Sequence, residues 1–255
     1  MVRPRDYDGR TMFPRSLISL LPLVTATAFA QQAGQPAGAP LPAGYQLVYE
    51  QHFDSADALR GFAMTDPAAW KFATDGGAFA LELADQSKYE PAFRSPFNIA
   101  LIADRTFGDF VLEADLLQTG KEYGHRDMCL FFGVQDPSHF YYTHIATKGD
   151  DHAHNVFIVN GAPRLKFAKQ TTVGVDWGTN AWHHVRLERR VGEGSVRVFF
   201  DDMTTPIMLA EDKTFGAGYV GFGSFDDTGK VDNIRIWSPN PPATKPTTFY
   251  KRPSP

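Results

Sequence analysis

Cysteine is nearly missing: Cys129 stands alone in 255 residues, so no disulfide can close within the chain. The fold must hold by core burial, which a domain of about 200 residues can supply. An excess of positive charge is missing too, since 25 Lys and Arg face 29 Asp and Glu for a formal charge of -4. That balance gives no footprint for nucleic acid or for an anionic membrane surface. No apolar run reaches the roughly 20 residues of a spanning helix, so no membrane insertion is expected. Long stretches of helical period are absent as well.

The amino terminus carries a different pattern. Arg3, Arg5, Arg10 and Arg15 precede an uncharged apolar run from Leu17 to Phe29, and Ala28-Phe29-Ala30 offers a small-x-small cleavage site. This is the layout of a signal peptide over residues 1–30, cut after Ala30, which predicts a secreted or periplasmic protein. A lipid anchor would need a cysteine at the cut, and Cys129 lies instead in Met128-Cys129-Leu130-Phe131-Phe132, where it reads as a small buried hydrophobe. Residues 31–44 are Gln, Ala, Gly and Pro with little else and read as a flexible linker. Residues 238–255 are proline-rich and read as a flexible tail.

Between these ends, over residues 45–237, apolar residues recur with period two in short runs broken by turn residues. The clearest runs are Tyr45 to Phe53, Ala78 to Leu83, Phe110 to Leu117, Met128 to Val134, His139 to Ala146, Val156 to Asn160, His183 to Arg189, Ser195 to Phe200, Gly218 to Phe225 and Val231 to Trp237. They predict an all-β, two-sheet antiparallel sandwich. Gln135-Asp136-Pro137-Ser138 predicts a hairpin turn, and Asp226-Asp227-Thr228-Gly229 another with Gly229 at positive φ. Residues 57–59 and 66–70 can each form one helical turn.

Trp182-His183-His184-Val185-Arg186-Leu187-Glu188, Val198-Phe199-Phe200-Asp201, Gly221-Phe222-Gly223 and Asp232-Asn233-Ile234-Arg235-Ile236 occur in that order. This series resembles the second half of a concanavalin A-like lectin/glucanase jelly roll of the laminin-G-like kind, and also the 3-keto-disaccharide hydrolase domain family of exported bacterial proteins. The resemblance implies a carbohydrate ligand or substrate. It also implies a structural calcium between first and last strands, at Asp232 with Glu50 or Asp54. Two departures stand out. Laminarinase-type glucanases carry Glu-x-Asp-x-(x)-Glu, whereas Glu113-Ala114-Asp115-Leu116-Leu117-Gln118 lacks the last carboxylate. The keto-disaccharide hydrolases show Asn-Ser-Gly where this chain has His125-Arg126-Asp127.

Five histidines between positions 125 and 154, with Asp, Glu and Arg around them, mark where chemistry can sit. Alternation places Glu113 and Asp115 on one face, and these with His125, Asp127 and His144 are the candidate catalytic groups. Tyr123, Arg126, Tyr142, His152, His154, Asn155 and Arg164 are the candidate sugar contacts, with Arg126 suited to a carboxylate or hydroxyl pair. If residues 152–155 are extended, His152 and His154 share a face and form a candidate divalent-metal pair. Metal binding, sugar contact with proton transfer, and plain solvated polarity all remain open for these histidines. Catalysis of glycosidic cleavage and simple carbohydrate binding or adhesion remain the two functional classes.

Overall fold

The computed structural model describes residues 40–74 and 79–253; the expected signal peptide and residues 31–39 of the expected linker lie outside them. Every one of the ten period-two runs contains a strand, and shorter strands lie between them. In chain order they are β1 (Gln46–Gln51), β2 (Phe62–Met64), β3 (Trp70–Ala73), β4 (Ala80–Leu83), β5 (Asn98–Ile102), β6 (Arg105–Thr106), β7 (Phe110–Gln118), β8 (Asp127–Asp136) and β9 (His139–Ala146). The series continues with β10 (Asn155–Asn160), β11 (Leu165–Lys166), β12 (Ala168–Thr171), β13 (Trp182–Arg190), β14 (Ser195–Phe200), β15 (Met208–Glu211), β16 (Tyr219–Ser224), β17 (Gly229–Ser238) and β18 (Ala243–Thr244). Single 3-10 turns at Ala56–Gly61 and Pro67–Ala69 match the two expected helical turns. Among the described residues no helix is long and apolar enough to cross a membrane.

Two antiparallel sheets form a sandwich. One runs β12-β15-β14-β13-β7-β17-β4-β3, with β1 also paired to β17; the other runs β11-β10-β9-β8-β16-β5-β2. Period two decides what each sheet buries. Phe110, Leu112, Ala114 and Leu116 of β7 meet Met128, Leu130 and Phe132 of β8 and Tyr141 and Ile145 of β9 in one core. Each such fully buried Leu or Phe contributes ~1.5–3 kcal/mol. The β8–β9 hairpin turns at Pro137 as expected, with Asp136 opposite His139 and the Asp136 carboxylate accepting the Ser138 amide.

The outward face of the seven-stranded sheet is itself apolar. Ile99, Leu101, Cys129, Phe131, Phe140, Tyr142 and Phe157 form a second cluster against which Tyr89, Phe93, Phe249 and Tyr250 pack. This corrects the expected flexible tail: β18 pairs with β6, Lys251 bridges Met64, and Tyr250 meets Tyr89 edge to face at 5.9 Å. Two aromatics that can cover an apolar face repay the ordering of a segment whose prolines alone argue for disorder.

Two further turn readings change. Asp226–Gly229 is not a hairpin but the crossing from β16 in one sheet to β17 in the other. Gly229 is needed for space, since a Cβ there would meet Met128 Sδ at 2.3 Å and Leu117 O at 2.9 Å. In β17 the register slips between Asp232 and Arg235, and Asn233 takes φ 50°. This bulge lifts Asp232 out of the core side that strict alternation assigns to it.

Candidate functional site

Glu113 and Asp115 lie on the outward face of the nine-stranded sheet, whereas Asp127, Tyr142 and His144 lie on the outward face of the other. The core separates the two sets. The candidate catalytic groups Glu113 and Asp115 therefore do not share one site with Asp127 and His144.

Glu113 and Asp115 belong instead to a charged ladder across β13, β7, β17 and β1. His184 Nδ1 donates to Asp115 Oδ1 at 2.7 Å, and its Nε2 stands 3.5 Å from Glu113 Oε2. Burial pulls this imidazole down, but hydrogen bonds to Asp115 and Glu113 outweigh it and push it up to about 9. Buried Arg186 spans Glu113 and Glu188, while Asn233 donates to Asp115 Oδ2 at 2.7 Å and accepts from His52. Glu113 is held below the usual carboxylate range because His184 and Arg186 together outweigh its burial. Glu113, Asp115 and Glu188 are each matched by His184 or Arg186, which fits a structural role.

Of the two partners expected for Asp232 around a calcium, Glu50 is already engaged. Glu50 Oε1 accepts from Arg235 Nε and from His52 Nε2, each at 2.9 Å, so this oxygen is held by two basic groups. Asp232 keeps one buried oxygen without a hydrogen bond. Burial, with the nearby Asp115 and Asp54 charges, pushes its carboxyl up to about 6. Among the described residues the acidic groups that do converge within 4.8 Å are Asp127, Asp226 and Asp227.

At one end of the seven-stranded sheet, the loops β7–β8 and β9–β10 and the β16–β17 crossing come together. Lys148 N donates to Gly124 O at 2.8 Å and Thr147 N to Arg126 O at 3.2 Å, which ties the first two loops. His125 and Asp150 meet there, Nε2 to Oδ2 at 2.5 Å, with side chains 44% and 41% exposed. The other oxygen of Asp150 accepts the His152 and Ala153 amides at 2.7 and 3.0 Å. Burial raises the Asp150 carboxyl, but these amides and His125 together outweigh it and hold it below its ordinary value. Among the described residues His125 Nδ1 makes no hydrogen bond. A carboxylate locked by a turn and bound to one imidazole nitrogen, with the other nitrogen open, is the arrangement of an oriented general base.

Tyr123 stands beside this dyad, its ring 6.5 Å from that of His125, and its hydroxyl donates to Asp227 Oδ2 at 3.0 Å. Asp127 is fully buried and accepts from Ser224 Oγ, the Phe225 amide and Cys129 Sγ. Burial pushes its carboxyl up to about 8, with the Asp227 charge adding to the shift. His144 Nε2 faces it at 3.7 Å, beyond hydrogen-bond reach. Its Nδ1 accepts the His154 amide, which places the proton of the neutral ring on Nε2, and burial pushes this imidazole well below its ordinary value.

Other expected contacts turn out to be internal. Arg126 spends its guanidinium on Gln118 Oε1, Gln118 O and Gly178 O, which fixes the loop and leaves none of these groups for a sugar. Tyr142 is buried and its hydroxyl accepts from Arg164 Nη1 at 2.7 Å. Asn155 Oδ1 accepts the Ala168 amide. The His152/His154 metal pair is not formed: His154 adopts φ 51° and is buried with Nε2 on Thr172 Oγ1 at 2.9 Å, whereas His152 is exposed. The segment is a turn closed by Asp150, so the alternation of an extended strand does not apply. Arg164 stays half-buried at the surface, and Tyr123 stays exposed.

Asp150 was not among the expected catalytic groups. The signal for it was local: an Asp two residues before His152 is a turn-forming Asx residue whose second oxygen stays available. A cleft of about 890 Å³ opens beside it, lined by Gly124, Lys148, Asp150, His154, Asn155 and Lys166 among others. A second of about 510 Å³ lies between residues 87–97 and Phe225.

No protein-family model matches the chain, and no curated protein matches it at a significant level. Solved structures do. A Bacillus subtilis protein of unknown function with a galectin-like fold is 13% identical, with 75% of this chain and 97% of that one covered at a TM-score of 0.52. The GH43 protein BlXynB of Bacillus licheniformis is 9% identical, with 73% of this chain and 38% of that one covered at a TM-score of 0.51. Likeness at such identity concerns the fold, and it agrees with the two antiparallel sheets of this chain: an all-β jelly-roll sandwich.

Proposed function

We propose that this is an exported carbohydrate-active protein that cleaves a glycosidic bond at the end of the seven-stranded sheet, with His125 as the proton-transfer group and Asp150 as the residue that orients it. The observation carrying this reading is the exposed His125–Asp150 dyad with its free Nδ1 beside a cleft large enough for a sugar. A binding site alone has no use for an imidazole fixed in this way, whereas a base must have its proton-accepting nitrogen open and aimed. The resemblance to the 3-keto-disaccharide hydrolases supports a substrate suited to such a base. In a 3-keto-glycoside the hydrogen on C2 is acidified by the ketone. Removal of that proton forms the C1=C2 bond, breaks C1–O and passes a proton to the leaving oxygen; water then adds back to give net hydrolysis.

The test is to incubate the purified protein with a panel of disaccharides and their 3-keto derivatives and to follow released sugar. Product from a keto substrate, reduced about 10²- to 10⁴-fold in His125→Ala with the melting temperature unchanged, supports the reading. Binding without product would make the domain a carbohydrate-binding module instead. Neither product nor binding overturns both.

A further inference from the structure

Two guanidinium groups lie against one aromatic ring and a lysine lines the cleft beside it, none of the three with an ion pair among the described residues. The Arg164 guanidinium lies over Phe225 at 4.3 Å and over Phe157 at 4.7 Å, fixed by donation to Tyr142 Oη and to His152 O. Arg94 approaches the same Phe225 ring at 5.8 Å, and its carbonyl accepts the Arg164 amide at 3.1 Å, so the two residues are tied through the backbone. Lys88 and Arg94 both line the 510 Å³ cleft, together with Tyr89, Ser95, Phe97 and Phe225. Among the described residues, neither Lys88 nor Arg94 has a side-chain hydrogen bond or ion pair. Glu90 brings one negative charge to the lining, against these two cations and Arg164 behind Phe225.

Several cations elsewhere on this molecule are matched: Arg186 with Glu113 and Glu188, Arg235 with Glu50, Lys71 with Glu82, Arg252 with Asp104. Cations left without carboxylates in a cleft with aromatic walls suit a ligand that brings its own negative charge and an apolar ring face. The cleft is joined to the dyad through one turn, because Arg164 Nη2 holds the carbonyl of His152, whose amide holds Asp150. We infer that the cleft between residues 87–97 and Phe225 is a subsite for an acidic sugar, whose carboxylate or sulfate ester is held by Arg94 and Lys88, with Arg164 behind the ring. This inference rests on the carbohydrate reading above and narrows its substrate class.

Calorimetry on the full chain at low salt, with three trisaccharides, tests it: a uronate, a sulfate ester of a neutral sugar, and that neutral parent. The acidic sugars are expected to bind at least about tenfold more tightly than the parent, as charge-assisted bonds require. That preference should vanish in the Lys88→Gln/Arg94→Gln variant and persist in His125→Ala; whichever acidic sugar binds better identifies the source of the charge. Both substituted cations are exposed, so the fold is expected to survive. Equal binding of the neutral parent, or a preference that outlives the double variant, overturns the subsite while leaving the carbohydrate reading standing. If none of the three binds, the inference fails, and turnover of keto-disaccharides then decides the broader reading separately.

Discussion

His184 sits between two carboxylates and is pushed up to about 9 from an ordinary 6.5. An imidazole whose folded value is raised stabilises the fold fully below the unfolded value and loses that contribution as pH climbs through the folded one. The thermal midpoint is therefore expected to fall between pH 6.5 and 9, and calorimetry on His184→Gln should show a flatter profile over that window. An equally steep fall in the variant would remove His184 from the account. His144 stands in the opposite condition: buried, neutral and packed edge-on against Phe157 and Phe225 at 6.2 and 6.1 Å. His144→Ala leaves a cavity and a polar network short of one member, so it is expected to cost roughly 2–4 kcal/mol in denaturant unfolding. The effect on turnover should then track lost fold rather than lost chemistry. The alternation of β9 puts Tyr142 and His144 on one face, but it cannot show that Phe225, more than 80 positions later in the chain, packs against His144.

The long strands were legible from alternation, as in β7 and β17, or from an unbroken apolar run between turn residues, as in β8; β2, β11 and β15 show neither, and their pairing comes from neighbours distant in sequence. The C-terminal segment was misjudged for a related reason. It has no period, yet Phe249 and Tyr250 supply what the face over Tyr219 and Tyr89 requires. Truncation after Lys245 should uncover that face at a cost of about 3 kcal/mol or more, a fall of roughly 6–10 °C in melting temperature, with increased binding of an apolar dye. An unchanged melting temperature and no dye uptake would return the segment to the status of a loose tail.

Glu113 and Asp127 are close in sequence, and alternation told which face of its own strand each occupies, but not that β7 and β8 belong to different sheets. That assignment depends on β7 pairing with β13 and β17 while β8 pairs with β9 and β16, and no local pattern encodes it. The result is two polar sites separated by the core: the matched ladder around His184 on the outward face of the nine-stranded sheet and the open dyad around His125 in the loops at one end of the other. Packed sheets lie about 10 Å apart, and substitutions farther apart than 7–10 Å with no shared partner add within about 0.5 kcal/mol. Stability losses of Glu113→Gln and His125→Ala should therefore sum in the double variant, while turnover of a keto-disaccharide falls only where His125 is changed. A loss of turnover in Glu113→Gln with the fold intact would move the chemistry to the nine-stranded sheet. Non-additive stabilities would instead mean that the two sites communicate, and the β7–β8 loop, held by Arg126 on Gln118, is one connection that could carry strain from one sheet to the other.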